Sequence, residues 1–232
     1  MTFSILGRCG RTGEFGCALA TSSMAVGARC HFVAPGSGAV LSQARSDPTL
    51  GAIGLARLAA GRSASEALAD MIAATPHAAW RQLAVLDGAG GIAEFTGEKV
   101  MSPKGASVGA GAVALGNAVA NDGVVDAILA GFAARPEASL ADRLIAALEA
   151  GLEAGGELAP LRSAALRVAR PGVPFTPIDL RVDLSETPIA ELRRYWVLWA
   201  PMADGYVERA LSPDSAPSTA DIERPRSNVI GR

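Results

Sequence analysis

Thr2-Phe3-Ser4-Ile5-Leu6-Gly7-Arg8, the turn Cys9-Gly10-Arg11-Thr12-Gly13, and Phe15-Gly16-Cys17-Ala18-Leu19-Ala20-Thr21 open the chain. Two runs of strand-forming residues flank a glycine-rich turn, which is the pattern of a β-hairpin starting at the second residue. The position of the hairpin matters as much as its form. If Met1 is removed, Thr2 carries a hydroxyl and a free α-amine on one residue, so nucleophile and base come together without a histidine. The plainer reading is that a strand starts early and Thr2 is a β-former at its edge.

Working outward, Ala28–Ala34 and Gly38–Ser42 read as a second strand pair around Pro35-Gly36-Ser37, so the first 43 residues are expected to form one antiparallel meander. Helices follow. Asp47 with Pro48 caps one, and Ser63-Ala64-Ser65-Glu66 is a capping box that opens the next. Thr75-Pro76 ends it. A second β block comprises Gln82–Asp87 and Gly91–Thr96 across Gly88-Ala89-Gly90, then Ser107–Gly116. Helical faces return at Val124, Ile128 and Phe132, and after Ser139 at Leu144, Ile145 and Leu148. Gly155-Gly156 stops this second helix. Ser163–Arg170 and Ile178–Asp183 are strands, and Pro188–Trp199 starts a last helix that Pro201 is expected to interrupt.

Strands follow strands and helices follow helices. That order argues against a doubly wound parallel sheet and for an α+β chain of antiparallel sheets. With helices in separate blocks, a four-layer α/β/β/α sandwich of two antiparallel sheets is the economical arrangement. One domain over residues 1–211 is expected. Residues 212–232, rich in Ser, Pro, Asp and Arg, read as an extended or flexible C-terminal arm able to wrap a neighbour.

Composition bounds the function. Half of the 232 residues are hydrophobic and only 5% are aromatic, so Ala, Val, Leu and Ile build the core. A net charge of −2 without a basic stripe argues against nucleic-acid binding. Cys9, Cys17 and Cys30 lack CxxC spacing, which fits a reducing compartment and a cytoplasmic protein. His31 and His77 are the only histidines, so no metal site is expected. No signal peptide and no membrane span are read.

Several segments carry a family resemblance. They are Thr2-Phe3-Ser4-Ile5 and Ala18-Leu19-Ala20-Thr21-Ser22-Ser23-Met24-Ala25-Val26-Gly27, then Gly38-Ala39-Val40-Leu41-Ser42-Gln43-Ala44 and Asp47-Pro48 with Gly51. Leu58-Ala59-Ala60-Gly61, Gly116-Asn117, Ser163-Ala164-Ala165-Leu166 and Asp179-Leu180-Arg181-Val182-Asp183 complete the set. In order and spacing they resemble a bacterial family, domain of unknown function 1028, grouped with the N-terminal-nucleophile (Ntn) hydrolases.

That resemblance implies the four-layer sandwich and an amidohydrolase needing no cofactor. It implies Thr2 as nucleophile and base on a small amide or short peptide. An ordinary α-amine pKa of about 7.7–8.0 suits a base near neutral pH. With Met1 retained the Thr2 nitrogen is an amide and cannot serve. Around Thr2, Ser23 could bond the nucleophile, Ser42 and Gln43 end a strand near the same sheet edge, and Asn117 could donate to an oxyanion. Each also has a structural reading: a turn-capping serine, a buried amide satisfied by backbone, a left-handed turn position. Ser163 belongs with this pocket, but relatives commonly carry glutamine where Arg162 stands, which leaves substrate contact there open. Asp179 and Arg181 alternate on one strand face, as a structural ion pair or as contacts to a charged substrate end. His31, flanked by Cys30 and Phe32, reads as structural. A homodimer or larger homo-oligomer is expected. The rival to the hydrolase is a non-catalytic ligand-binding or assembly protein on the same fold.

Overall fold

A computed structural model describes residues 1–224 of the chain. Ten strands and six α-helices occur among the described residues. Strands β1 (Thr2–Arg8), β2 (Phe15–Thr21), β3 (His31–Ala34) and β4 (Gly38–Ala44) lead into helices α1 (Pro48–Ala59) and α2 (Ala64–Ala73). Strands β5 (Arg81–Asp87), β6 (Ile92–Thr96), β7 (Lys104–Gly109) and β8 (Ala112–Asn117) follow, then α3 (Val124–Ala133) and α4 (Leu140–Glu153). Strands β9 (Ser163–Ala169) and β10 (Ile178–Val182) precede α5 (Pro188–Leu211) and α6 (Thr219–Ile222).

All strand pairs are antiparallel, and they form two sheets. The larger has the order β10-β9-β2-β1-β8-β7 and the smaller β3-β4-β5-β6. The opening hairpin is therefore central in the larger sheet, while β3 and β4 belong to the other. This corrects the expected single meander. Ala25 turns left-handed at φ 53, Val26–Ala28 form a 3-10 turn, and the chain crosses between sheets before β3 begins at His31. On the side away from β1, β2 takes β9 as its neighbour instead of β3, with Thr21 opposite Ser163.

Period-two alternation explains the layers. In β1 the outward-facing Phe3 and Ile5 join Ile128, Phe132, Leu144, Leu148 and Trp196 from α3, α4 and α5. Leu6 points the other way and packs with Val113 and Leu115 against Leu41, Ala84 and Leu86 of the smaller sheet. Val40, Leu83 and Val85 face α1 and α2 through Leu50, Leu58, Leu68 and Met71. Each such fully buried Leu, Ile or Phe contributes roughly 1.5–3 kcal/mol.

The helix ends follow the local signals. The Asp47 carboxylate accepts from Thr49 N–H, and Ser63 and Glu66 form the full capping box. Pro201 does not interrupt α5, which runs on to Leu211. Its missing donor would have met the carbonyl of Val197, where Val197 and Leu198 are exposed, while Trp199 stacks on Tyr206 across the proline. Of the tail, Ser212–Arg224 turns back on α5. Ile222 lies against Gly205, and Arg209 donates to the Pro217 carbonyl at 3.0 Å. Residues 225–232 of the expected arm lie outside the described residues. Among the described residues no helix is long and apolar enough to cross a membrane.

Gly16 shows how tightly the larger sheet is built. A Cβ there would stand 2.1 Å from the Arg167 carbonyl oxygen and 2.9 Å from Val168 Cα, both backbone atoms that move only if β2 and β9 part. At Gly10 a Cβ meets nothing within 4 Å. Gly16→Ala is expected to cost at least ~2 kcal/mol in chemical denaturation, and Gly10→Ala less than about 0.5 kcal/mol. Equal costs would contradict the strand pairing.

Candidate functional site

The register of the larger sheet sets a polar row across its end. Thr2 lies opposite Asn117 on one side, and Phe3 opposite Ala20 brings Thr21 beside Thr2 on the other. Thr21 in turn faces Ser163. Thr2, Thr21, Asn117 and Ser163 are all buried. The Thr21 hydroxyl donates to the Met1 carbonyl at 2.6 Å, and the Thr2 hydroxyl points to the same carbonyl. The two threonine oxygens are 3.4 Å apart. The acyl group on the Thr2 nitrogen is thus met by hydroxyls from two adjacent strands.

Behind this row the sheets are joined by buried amides. Ser4 donates to Gln43 Oε1 at 2.7 Å, and Gln43 Nε2 donates to Gln82 Oε1 at 2.8 Å. Asn117 Nδ2 donates to the same Gln82 oxygen at 3.0 Å. Gln82 Nε2 reaches Thr96 Oγ1, Gly105 O and Gly116 O at 3.1, 3.1 and 3.0 Å, two hydrogens shared among three acceptors. Ser4, Gln43 and Gln82 are fully shielded from solvent.

The rim is the loop after β2. Ser163 Oγ donates to Ser23 O at 2.6 Å and accepts from Val26 N at 3.1 Å, pinning both ends of that loop. Arg29 Nη2 donates to Ser23 Oγ at 2.6 Å and Nη1 to Ala25 O at 2.9 Å. Opposite stands Glu157. Gly155 and Gly156, at φ 124 and 64, end α4 and turn the chain back, and Glu157 bridges to Val119 beside the end of β8. Its carboxylate accepts from Ser22 N–H at 2.9 Å, and its other oxygen has no partner among the described residues. Burial pushes the Glu157 carboxyl above its ordinary range, against the pull of Ser22, the N-terminal charge and Thr21.

Backbone strain marks the same end. Ala25, Ala44 and Ala118 are non-glycine residues at positive φ, and the last two immediately follow Gln43 and Asn117. Such positions cost about 1–2 kcal/mol each and persist where surrounding structure fixes them.

Of the residues expected at the pocket, the structure brings Thr2, Ser23, Asn117 and Ser163 together at one end of the larger sheet, with Gln43 behind them. Gln43 is satisfied by side chains and not by backbone. Asn117 ends a strand, and the left-handed turn position is its neighbour Ala118. Ser42 is not part of the group: it faces away from Gln43 and donates to the Asp47 carbonyl at 2.9 Å, holding the entry to α1. Asp179 and Arg181 do not pair with each other. Asp179 bonds Arg167 at 2.6 Å and Arg181 bonds Asp183 at 2.9 Å.

Thr21, Gln82, Arg29 and Glu157 were not singled out in the sequence. A lone acid between the double glycine and the apolar run from Leu158 was the one available signal for Glu157. His31 is buried with neither ring nitrogen partnered among the described residues. Burial, with help from the charges of Arg167 and Arg181, lowers its pKa to about 3. Two large surface cavities, about 730 and 720 Å³, open at the far ends of the strands, around Arg8, and neither is lined by Thr2.

The chain matches, over residues 2–192, the family described as "Family of unknown function (DUF1028)". A crystal structure of a Silicibacter pomeroyi protein of that family is similar, with 32% identity over 86% of this chain and 89% of the other, at a TM-score of 0.79. The Anbu (ancestral beta-subunit) protein from Yersinia bercovieri aligns over 93% of this chain and 98% of its own at 12% identity. Its TM-score is 0.41. No curated protein matches the chain.

Two titrations test this electrostatic picture. His31 stays neutral when folded while the unfolded chain protonates it below about pH 6.5, so stability falls as pH drops from there towards 3. Relative to His31→Phe, wild type is expected to lose about 2 kcal/mol between pH 7 and pH 5 in urea unfolding. Glu157 has the opposite sign. Its folded carboxyl holds a proton the unfolded chain releases, so its contribution declines as pH rises through the folded pKa. Glu157→Gln should therefore gain on wild type between pH 5 and pH 8, and parallel curves would contradict the assignment.

Proposed function

The chain belongs to the DUF1028 family, and from that premise we propose that it is an N-terminal-nucleophile hydrolase that cleaves the carbon–nitrogen bond of a small amide or short peptide. Helices against the outer face of each sheet, with a shared core between the sheets, support the four-layer α/β/β/α order of an Ntn-hydrolase-like sandwich. The observation that carries the reading is the row at the sheet end. Thr2, on a central strand, is flanked by the Thr21 hydroxyl and by Asn117, with the acid Glu157 in reach of the Met1 α-ammonium one residue before it.

The reaction begins with loss of Met1. The Thr2 nitrogen then becomes an α-amine, and the Thr21 hydroxyl that held the Met1 carbonyl is placed to hold this amine. Thr2 Oγ1 passes its proton to the amine and bonds to the substrate carbonyl carbon. The amine returns the proton to the departing nitrogen, the carbon–nitrogen bond breaks, and an ester remains on Thr2. Water, activated by the same amine, releases the acid. Glu157 sets the charge of the site by facing the amine, while Ser23 and Arg29 shape the entrance. Asn117 already gives one amide hydrogen to Gln82 and has a second for an oxyanion. Gln43, Gln82 and Ser163 position these groups and do not touch substrate. Three unpaired cysteines support a cytoplasmic setting, and exposed Val197 and Leu198 on α5 support a homo-oligomer.

One observation favours the rival, a non-catalytic binding protein. The large cavities lie at the opposite end, and Met1 covers Thr2. The two readings separate in one experiment. Untagged protein is weighed by intact mass spectrometry and screened against amides beside Thr2→Ala and Thr2→Ser. The hydrolase predicts a mass lacking methionine, at least ~10³-fold loss in Thr2→Ala and partial activity in Thr2→Ser. Full mass without turnover supports the binder, and turnover indifferent to Thr2→Ala removes Thr2 as the nucleophile.

A further inference from the structure

At the other end of β1, ~20 Å from Thr2 along the strand, lies Arg8. Its buried Nε has no partner, and no hydrogen bond or ion pair involves its guanidinium among the described residues. An unpaired, partly buried guanidinium is costly, because its five donors lose water and gain no acceptor. The neighbouring Arg170 also has a buried Nε without a hydrogen-bond partner, but its charge is balanced: the Glu14 carboxylate stands 3.1 Å from Nε and Asp204 binds Nη1.

Arg8 borders a cavity of about 720 Å³ that Arg11 and Arg143 also line, with Glu137 as its one acidic residue. Arg143 is buried and anchored at one edge only. Its Nε donates to the Phe132 carbonyl at 3.1 Å, and its guanidinium lies 3.9 Å over the Phe132 ring. Neither Nη has a partner among the described residues. Arg11 Nη2 donates to the Glu137 carbonyl at 3.1 Å, which places its charge at the rim. Gly90, at φ 101, also lines the cavity and lies beside the Arg8 side chain, with the position of a Cβ 3.5 Å from Cδ. The cavity volume suits a small organic ligand.

We propose that this cavity is an anion-binding site, in which Arg8, Arg11 and Arg143 take a small molecule bearing a phosphate or carboxylate group. Planar guanidinium forks match the paired oxygens of either group. The turn itself favours negative charge. Burial alone would push the Cys9 thiol up, but hydrogen bonds from Thr12 and Arg11 and the Arg11 charge bring it below its ordinary value. The site is independent of Thr2.

Calorimetric titration of the full chain with inorganic phosphate, and separately with succinate, decides the matter. Ionic strength is held constant with chloride, because simple charge screening would otherwise mimic binding. Saturable binding of one equivalent of at least one anion is expected, and the tighter one names the ligand group. Arg8→Gln should weaken it at least tenfold and Arg11→Gln severalfold, while Thr2→Ala leaves it unchanged. If circular dichroism shows Arg8→Gln unfolded, Arg8→Lys and Arg11→Gln replace it, with weakened binding still expected. Failure of both anions to saturate, or wild-type affinity in the folded arginine variants, overturns the site without touching the Thr2 proposal.

Discussion

The structure depends on a single buried amide. Gln82, in the smaller sheet, accepts from Gln43 beside it and from Asn117 across the inter-sheet space, and donates to two carbonyls of β7 and β8. An apolar interface between sheets tolerates sliding, since the hydrophobic effect is non-directional. A fully bonded amide does not, because each lost partner leaves a desolvated polar group at a cost of about 1–3 kcal/mol. The network therefore fixes how the two sheets stack at the end where the chain begins.

That constraint reaches the N-terminus directly. Asn117 pairs with Thr2, and Ser4, two residues on, bonds Gln43. First residues of a domain usually fray. Here the second residue is buried at the middle of a six-stranded sheet, and left-handed alanines follow both Gln43 and Asn117. Rigid placement of a hydroxyl and its neighbouring nitrogen is what nucleophilic chemistry requires. The same strand ends in Arg8, whose guanidinium has no partner among the described residues, so β1 joins two chemically distinct ends: a polar row under Glu157, and a cluster of guanidiniums.

Local signals were legible. Asp47-Pro48, the Ser63 capping box and Ser139 each act within one helical turn, and each helix starts where those residues say. Alternation along β1 and β2 was equally readable. Which sheet a strand joins was not, because β2 takes β9 as its neighbour from far along the chain and that pairing leaves no mark near Thr21. The site divides along the same line. In the proposed site, Thr2 stands out by its place at the chain start, Ser23 and Asn117 by their places at strand ends, and Ser163 through the family resemblance. Glu157 and Gln82 were not, since their meaning comes from residues brought near only by folding. Pro201 misled in the opposite direction: a strong local signal yielded to the packing of Trp199 and Tyr206 on either side of it.

The proposed chemistry requires Thr2 to be a reactive alcohol held in place by its neighbours. Incubating untagged protein with a β-lactone, which esterifies activated hydroxyls, and mapping the adduct by peptide mass spectrometry tests this most directly. One ester on Thr2, confined to molecules lacking Met1, is predicted. Absence of an adduct on Thr2 in that population, or modification spread over surface serines, would contradict it.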